Sequence, residues 1–275
     1  KRFFRNIKVI LLSKFLYQDF SKYVDKENVE ICPNGIPELF TEEPCFIRDN
    51  RPIKILYLSN LIISKGVYVL LDALQILKSR GYAITCTFVG GETKEISVEI
   101  FNRAVKERQL DDIVVYVGSK YGQEKQPYWA QSDIFVFPTF YHNESFPIVN
   151  LEAMQYKLPI VSTDEGGIKD IKEKCDLVIY VANYDTASNQ TTRRVEWIKL
   201  MAANAPWFMQ DVPTIFVSLA NPYHLFDVPM IKTYINCYTN NDQTLQVLVD
   251  KLLGKEKFVG KSPVDVYCGR WDTKR

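Results

Sequence analysis

The feature that most constrains this chain is a regular alternation of short apolar runs with longer amphipathic stretches. The runs are rich in β-branched and aromatic residues, as β-strands are, whereas the stretches repeat apolar residues every three to four positions, as helices do. Glycines follow several of the runs and mark turns. The predicted strands are Ile53–Leu58, Ile84–Val89, Ile113–Val117, Ile134–Pro138 and Pro159–Ser162, and the predicted helices are Lys65–Arg80, Ile96–Leu110, Gln123–Gln131 and Pro147–Tyr156.

Strands that alternate with helices in this way predict a parallel sheet with right-handed crossovers. We therefore expect an α/β fold, a Rossmann-like parallel sheet with helices on both faces. Ligands of such sheets bind beyond the carboxyl ends of the strands. That rule selects five loops, at residues 59–66, 90–94, 118–122, 139–146 and 163–167.

The alternation continues beyond Asp176, but the turns between its elements differ. The glycine turns disappear, and a proline-rich segment, Ala205–Pro213, separates a helix from the strand after it. The chain therefore reads as two halves, which either share one parallel sheet or form adjacent lobes. The predicted elements of the second half are strands Leu177–Val181, Thr214–Leu219 and Thr233–Tyr238 and helices Arg193–Met209 and Asp242–Leu253.

Composition and charge exclude several classes of function. A net charge of +1 over 275 residues argues against a nucleic-acid partner, because such proteins carry a large basic excess. The six cysteines form no CxxC pair and only two histidines accompany them, so we expect no metal site. No apolar run reaches the ~18 residues that cross a bilayer, so no membrane span is expected. Scattered, reduced thiols favour a cytoplasmic location.

Two carboxylates, Glu144 and Glu152, flank the predicted start of a helix at Pro147. Proline suits the first helical turn, where its missing N–H would lack a partner in any case. The backbone N–H groups of Phe146, Ile148 and Val149 would then point outward with the positive end of the helix dipole, which suits a phosphate or pyrophosphate. Carboxylates accept hydrogen bonds from sugar hydroxyls, so one glutamate for a ribose and one for a hexose is chemically reasonable.

This part of the chain resembles the C-terminal domain of the retaining family-4 glycosyltransferases, which have the two-domain GT-B fold. The resemblance extends over residues ~1–172. It rests on four motifs in a fixed order: the Pro-Asn-Gly turn of Val29–Ile36, the strand and loop of Leu58–Gly66, the segment from Asp133 to the paired Glu144 and Glu152, and the strand and glycine turn of Pro159–Asp170.

The resemblance implies a role for each matching residue. Glu144 would be the catalytic residue that holds the donor sugar, Glu152 would hold the ribose, and Lys65 would neutralise the diphosphate. Asn60 stands where many relatives have Arg and can donate hydrogen bonds but no charge. No cofactor or metal is implied. The partners would be a UDP-type or GDP-type nucleotide sugar and a glycan or lipid-linked acceptor.

The second half resembles the C-terminal α/β domain of family-3 glycoside hydrolases of the β-N-acetylhexosaminidase type. The residues that support this resemblance are Pro213–Leu225, with its Asn-Pro-Tyr turn, and Gly260–Val264. The implied domains are residues 1–39, a remnant of a glycosyltransferase N-terminal domain with its linker, residues 40–173, the nucleotide-sugar-binding domain, and residues 174–275. We expect His142 and His224 to be surface or structural residues.

Three functions remain open at this point. The chain is a retaining glycosyltransferase that is incomplete on its own, a module that binds nucleotide sugars without transfer, or a structural α/β protein without enzymatic activity. A natural fusion, a fragment and an engineered chimera are all compatible with the sequence. We favour a chimera, because neither parent catalytic unit is complete.

Overall fold

The computed structural model of the chain describes residues 7–37, 51–183, 212–228 and 230–265. The chain divides into two compact units, Lys1–Ile171 and Lys172–Arg275. Each unit is an arrangement of parallel strands and helices, so the α/β class predicted from the alternation is confirmed.

A five-stranded sheet organises the first unit, in the strand order β5-β4-β3-β6-β7, and every neighbouring pair is parallel. The order places β3 at the centre, so that the chain runs outward to one edge and then returns across β3 to the other. The strands are β3 (Ile53–Leu58), β4 (Ile84–Val89), β5 (Val114–Tyr116), β6 (Ile134–Phe137) and β7 (Ile160–Ser162), and the helices are α2 (Val67–Ser79), α3 (Val98–Glu107), α4 (Gln126–Gln131), α5 (Ile148–Gln155) and α6 (Ile168–Ile171).

The core of this unit forms around β3 and α2. Four consecutive residues of β3, Ile55 to Leu58, are buried, which requires that both faces of the strand be covered. On α2 the buried residues recur at helical spacing and form one apolar stripe. Residues of this stripe and of β3 belong to a single hydrophobic cluster that also includes Phe88, Phe101 and Trp129.

All four predicted helices of the first unit begin later than the sequence predicts, and for two of them the cause is a single residue. Gly66 adopts the left-handed conformation with φ +84°, so a short 3-10 helix, Ile63–Lys65, ends there and α2 begins at Val67. Pro147 keeps an extended backbone with ψ 112° and precedes α5, which starts at Ile148. The prediction that Pro147 itself opens the first turn is therefore wrong by one residue.

The N-terminal segment forms a separate two-stranded parallel sheet from β1 (Val9–Leu11) and β2 (Val29–Ile31), with the short helix α1 (Tyr17–Phe20) between them. The Pro-Asn-Gly turn follows β2. The side-chain amide of Asn34 in this turn donates to the carbonyl oxygen of Phe146 at 3.0 Å. The turn is therefore anchored to the backbone just before α5.

In the second unit, three strands pair in parallel in the order β10-β9-β8. They are β8 (Val178–Ala182), β9 (Thr214–Ser218) and β10 (Thr233–Asn236), followed by the helix α7 (Asp242–Leu252). The predicted helix Arg193–Met209 lies outside the described residues. All strands that the structure describes fall into three separate hydrogen-bonded sheets, so they do not form the shared continuous sheet left open above.

Replacing Leu71 by Ala tests the packing of α2. Leu71 is fully buried, whereas Val69 on the same helix is 48% exposed. We expect Leu71→Ala to lower the free energy of unfolding by about 2–5 kcal/mol, because it deletes buried methyl groups and leaves a cavity. Urea unfolding followed by circular dichroism measures the change. The control Val69→Ala should cost less than about 1 kcal/mol, and equal costs for the two variants would contradict the assigned helix face.

Candidate functional site

The loops that follow β3 and β6 meet at the carboxyl edge of the first sheet. The two strands are parallel neighbours, with Leu56 opposite Phe135, so their C-terminal ends lie side by side. The backbone N–H of Phe140 donates to the carbonyl oxygen of Ser64 at 2.8 Å, and the Thr139 hydroxyl donates to the same oxygen at 3.3 Å. These hydrogen bonds tie the two loops together.

A close backbone contact at Gly66 makes this meeting possible. A Cβ atom on Gly66 would lie 2.2 Å from the carbonyl oxygen of Pro138, far inside the contact distance of real Cβ atoms. Any other residue would also be strained at φ +84°. Gly66 is therefore required both by the backbone conformation and by the neighbouring loop.

Lys65 and Glu144 form an ion pair where these loops meet. The Lys65 Nζ lies 2.5 Å from Glu144 Oε2, and the two side chains are only 15% and 8% exposed. The Thr139 hydroxyl donates to the same carboxylate oxygen at 3.3 Å. The Lys65 ammonium also lies over the rings of Tyr141 and Phe137, at 4.7 and 5.5 Å from their centroids. The cation and the carboxylate predicted for one site are thus in direct contact.

A buried tyrosine on β3 supports the backbone beneath this pair. The Tyr57 hydroxyl donates to the carbonyl oxygens of Lys65 at 3.3 Å and Asn60 at 3.5 Å. Burial raises the pKa of Tyr57 well above its usual range, and the nearby Glu144 charge acts in the same direction. The phenol therefore stays protonated at neutral pH and remains a hydrogen-bond donor to the loop.

Two glycines on the loop after β7 fit against the segment that carries Glu144. A Cβ on Gly166, where φ is +47°, would lie 1.6 Å from the carbonyl oxygen of Glu144, and one on Gly167 would lie 2.0 Å from that of Ser145. The Gly167 N–H also donates to the Glu144 carbonyl oxygen at 3.4 Å. The glycine pair therefore fixes where the Glu144 backbone can lie.

Glu152 is held by a different lysine. Its Oε1 accepts a hydrogen bond from the Lys125 ammonium, and the two side chains are 12% and 18% exposed. Its Oε2 is buried and has no hydrogen-bond partner among the residues that the structure describes. Burial, and after it the charge of Glu152, raises the pKa of Tyr156. A carboxylate oxygen in such surroundings favours any ligand that brings a hydrogen-bond donor.

The three backbone groups predicted to bind phosphate occupy different positions. Ile148 and Val149 are the first residues of α5, where N–H groups lack intrahelical partners. Phe146 precedes Pro147 and is therefore outside the helix. Its side chain is buried beside Leu151 and Ile171, and the binding role predicted for its backbone N–H stays a prediction. The helix dipole consequently acts through Ile148 and Val149.

Asn60 lies on the exposed surface of the loop after β3, and its side-chain oxygen is already used. It accepts a hydrogen bond from the Gly91 N–H at 3.1 Å, which ties this loop to the one after β4. Only the side-chain NH2 group can therefore donate to a ligand without breaking that contact.

Sequence reasoning did not select Lys125 or Thr139. Lys125 is the last residue of a 3-10 helix, Gly122–Lys125, and belongs to none of the motifs that carry the family resemblance. It nevertheless follows the loop after β5, at the edge of the sheet where ligands of such folds bind. Thr139 directly follows Pro138 at the end of β6, and its complete burial was the signal available only from structure.

His142 is exposed on the neighbouring loop. His224 is buried in the second unit, where its Nδ1 lies 2.7 Å from the Ser218 hydroxyl.

Residues 7–37, 51–183, 212–228 and 230–265, which the structure describes, contain neither a cluster of metal-ligating side chains nor a helix that could span a membrane. No group of three or more His, Cys, Asp and Glu side chains there is arranged to hold a metal ion. No helix within the same ranges is long and apolar enough to cross a membrane.

Comparison with known families identifies the first unit. The family described as "Glycosyl transferases group 1" matches residues 52–195, just over half of the 275-residue chain. The chain belongs to this family. The match includes Lys65, Glu144 and Glu152, and it extends past the boundary between the two units.

Two curated relatives correspond to parts of this group 1 glycosyltransferase chain. It is 31% identical to the amylovoran biosynthesis glycosyltransferase AmsK of Erwinia amylovora over 154 residues, 54% of this chain and 36% of that protein. It is 53% identical to a β-N-acetylglucosaminidase/β-glucosidase of Cellulomonas fimi over 104 residues, 38% of this chain and 18% of that protein. The chain thus spans about a third or less of the length of these relatives.

Solved structures support the fold. HepE (Alr3699) of Anabaena, in complex with UDP and glucose, matches with a TM-score of 0.51 and 20% identity over 59% of this chain and 46% of that one. Sucrose-phosphate synthase of Thermosynechococcus elongatus matches with a TM-score of 0.50 and 24% identity over 60% and 42%. The structural likeness therefore covers the GT-B type of α/β domain and less than half of each matched chain.

Replacing Gly166 by Ala tests the support of the Glu144 loop. The matched control is Gly118→Ala, because Gly118 also has positive φ, at +74°, but has no atoms within 4 Å of an added Cβ. We expect Gly118→Ala to cost roughly 1–2 kcal/mol from backbone strain alone. Gly166→Ala should cost about 1–3 kcal/mol more, because a methyl group is forced against a carbonyl oxygen. Equal losses in chemical unfolding would show that the contact between the two loops is unimportant.

Proposed function

We propose that the first unit binds a nucleotide diphosphate sugar at the carboxyl edge of its sheet and provides the donor half of a retaining, family-4-type glycosyl transfer. The observation that carries the proposal is the buried ion pair of Lys65 and Glu144 in this location, in a chain of the group 1 family. The ion pair brings a cation and a hydrogen-bond acceptor to the edge where parallel sheets bind their ligands.

In this proposal Lys65 neutralises the diphosphate. Among the described residues Lys65 has one carboxylate partner, and its ammonium lies over two aromatic rings, so that it can exchange Glu144 for a more highly charged anion. Phosphate oxygens carry more charge than one carboxylate, and the first N–H groups of α5 add the positive end of a helix dipole. The exposed Asn60 contributes a hydrogen bond but no charge.

Glu144 and Glu152 then bind the two sugars of the donor. Glu144, released from Lys65, accepts hydrogen bonds from the transferred sugar and acts as the catalytic residue. Glu152 accepts a hydrogen bond from a ribose hydroxyl. During transfer the bond between the anomeric carbon and the diphosphate breaks, and a bond to an acceptor hydroxyl forms with the same anomeric configuration. The lysine cation and the helix start stabilise the negative charge that develops on the departing diphosphate, so no metal ion is required.

The nucleotide is of the UDP or GDP type. The complex of the Anabaena protein with UDP and glucose is the reason to test UDP first. The acceptor would be a glycan or a lipid-linked sugar, and the reaction would be cytoplasmic. Residues 174–275 would derive from a family-3 glycoside hydrolase domain, a proposal supported by the similarity to the Cellulomonas fimi enzyme.

Nucleotide-sugar binding without transfer is the second candidate function. It requires only the charged residues of the first unit, Lys65, Glu144 and Glu152. Transfer requires donor and acceptor to be held together. A radiolabelled UDP-sugar assay, with released sugar and transferred sugar measured separately, distinguishes the two candidates, because a binding module would retain affinity and produce neither product.

Glu152→Ala tests the binding site by titration calorimetry with UDP and GDP. We expect the wild-type protein to bind one of them and the variant to lose roughly 1–3 kcal/mol of binding free energy, the usual effect of removing a charged hydrogen-bond partner. The control Glu107→Ala, at the end of α3, should not change the affinity. An unchanged affinity in Glu152→Ala would remove this residue from the site, and no binding of millimolar nucleotide to wild-type protein would favour a purely structural chain.

Lys65→Met and Glu144→Gln separate diphosphate binding from sugar binding. Lys65→Met should weaken UDP binding by about tenfold or more, because the diphosphate loses its cation. Glu144→Gln should leave UDP binding unchanged or stronger, since it releases Lys65, while it removes the additional affinity for a UDP-sugar over UDP. Calorimetry with both ligands measures this pattern. Parallel losses for the two variants would contradict the division of roles.

Thermal melting must accompany these titrations. Removing one partner of a buried ion pair typically costs about 3–5 kcal/mol of stability. The double variant Lys65→Met/Glu144→Gln removes both charges together and should melt at a higher temperature than Lys65→Met alone. Its UDP affinity should remain low, which would show that the loss reflects the missing cation rather than unfolding.

A further inference from the structure

Lys125 is a charged residue of the site that no motif accounts for. It ends the 3-10 helix that follows the loop after β5, and α4 begins at the next residue. Its side chain is only 18% exposed, although lysine side chains usually extend into water. Its ammonium donates to Oε1 of Glu152, on a helix 27 positions further along the chain. Burial of this long side chain therefore coincides with one specific carboxylate.

We propose that Lys125 is a positioning residue that orients Glu152 toward the ribose, and that it thereby makes the site discriminate ribonucleotides from 2′-deoxyribonucleotides. The inference rests on the proposed function, in which Glu152 accepts a ribose hydroxyl. Lys125 would control the contact between Glu152 and the ribose, and the group that this contact recognises would be the 2′-hydroxyl.

The two carboxylate oxygens of Glu152 have different surroundings. Oε1 is occupied by Lys125, whereas Oε2 is buried and lacks a hydrogen-bond partner among the described residues. A glutamate carboxylate rotates easily about its last torsion angle, so without a tether its two oxygens would exchange positions. The lysine removes this freedom, because turning the carboxylate would break the ion pair. Oε1 therefore remains bound to Lys125, and Oε2 remains in place to accept a hydrogen bond from an incoming hydroxyl.

Charge provides the second step. A carboxylate with so little exposure loses most of its hydration, and a cation beside it offsets part of that cost. Lys125 supplies this cation at Oε1 and leaves Oε2 to accept a ribose hydroxyl.

The two lysines of the site act on different carboxylates. Lys65 contacts Glu144, which also accepts from Thr139, whereas Lys125 contacts Glu152. Loss of Lys65 should therefore weaken the binding of every nucleotide diphosphate. Loss of Lys125 should affect only nucleotides whose ribose carries the recognised hydroxyl.

The test compares UDP with 2′-deoxy-UDP, or the guanine pair if GDP binds more tightly, by titration calorimetry of the full chain. We expect wild-type protein to favour the ribonucleotide by roughly tenfold, the value of one hydrogen bond to a charged group. In Lys125→Met this preference should fall to within about twofold, while the affinity for the deoxynucleotide changes less than about threefold. Lys125→Arg, which keeps the charge, should retain most of the preference.

The matched control is Lys78→Met. Lys78 also pairs with a carboxylate, Asp112, but that pair precedes β5 and lies toward the amino edge of the sheet. This variant should keep the wild-type preference. The double variant Lys125→Met/Glu152→Gln removes both charges and can be measured if Lys125→Met does not fold. It too should lack the preference for the ribonucleotide.

Three outcomes would overturn the proposal. Equal loss of affinity for both nucleotides in Lys125→Met would make Lys125 a phosphate ligand. A retained preference in either Lys125→Met or the double variant, with a lower melting temperature, would make it a structural residue. Failure of the wild-type protein to bind any of the four nucleotides would reject the proposed function itself, and this inference with it.

Discussion

The close approach of the loops after β3 and β6 is the constraint on which the site depends. Parallel pairing of these strands brings their carboxyl ends together, but pairing alone leaves room for a side chain between the loops. At Gly66 there is no such room, because a Cβ would lie 2.2 Å from the Pro138 carbonyl oxygen. The contact places Lys65 within reach of Glu144. The position of the cation is thus determined by backbone geometry rather than by its own flexible side chain.

The charges of this site are arranged at some cost to stability. Glu144 and Glu152 are both buried, and each is paired with one lysine. Two buried ion pairs seldom stabilise a fold more than apolar residues of the same volume would. The unpartnered Oε2 of Glu152 adds a further penalty within the described part of the chain. A ligand that supplies hydroxyl donors and a diphosphate would relieve both costs, which is the physical basis for the binding proposed here.

The fold was predictable from sequence because apolar residues repeat regularly along the chain. Every described strand of the first sheet lies within or next to a predicted apolar run. The rule that loops after parallel strands converge predicted that the segments carrying Glu144 and Lys65 would lie close together, whereas the roles of the two residues were implied by the family resemblance. Lys125 was missed because nothing local marks a lysine that points inward from a short 3-10 helix. The start of α5 was misplaced by one residue because Pro147 suits either the first turn or the position before it. A tertiary contact with Glu152, which sequence periodicity does not report, decided the case of Lys125, and the local backbone of Pro147 decided the start of α5.

The second unit shows why a shared topology does not imply a shared function. Its three strands are also parallel, and the turn after β9 also follows the carboxyl end of a central strand. There, however, several polar groups bond to one another: the Ser218 hydroxyl lies against His224 and donates to the Asn221 carbonyl oxygen, and Asn221 caps the turn that follows. The corresponding edge of the first unit instead carries charged side chains on loops that glycines allow to approach one another closely. The charged groups on which the proposed binding depends therefore lie at this edge of the first sheet, and strand order alone would not have located them.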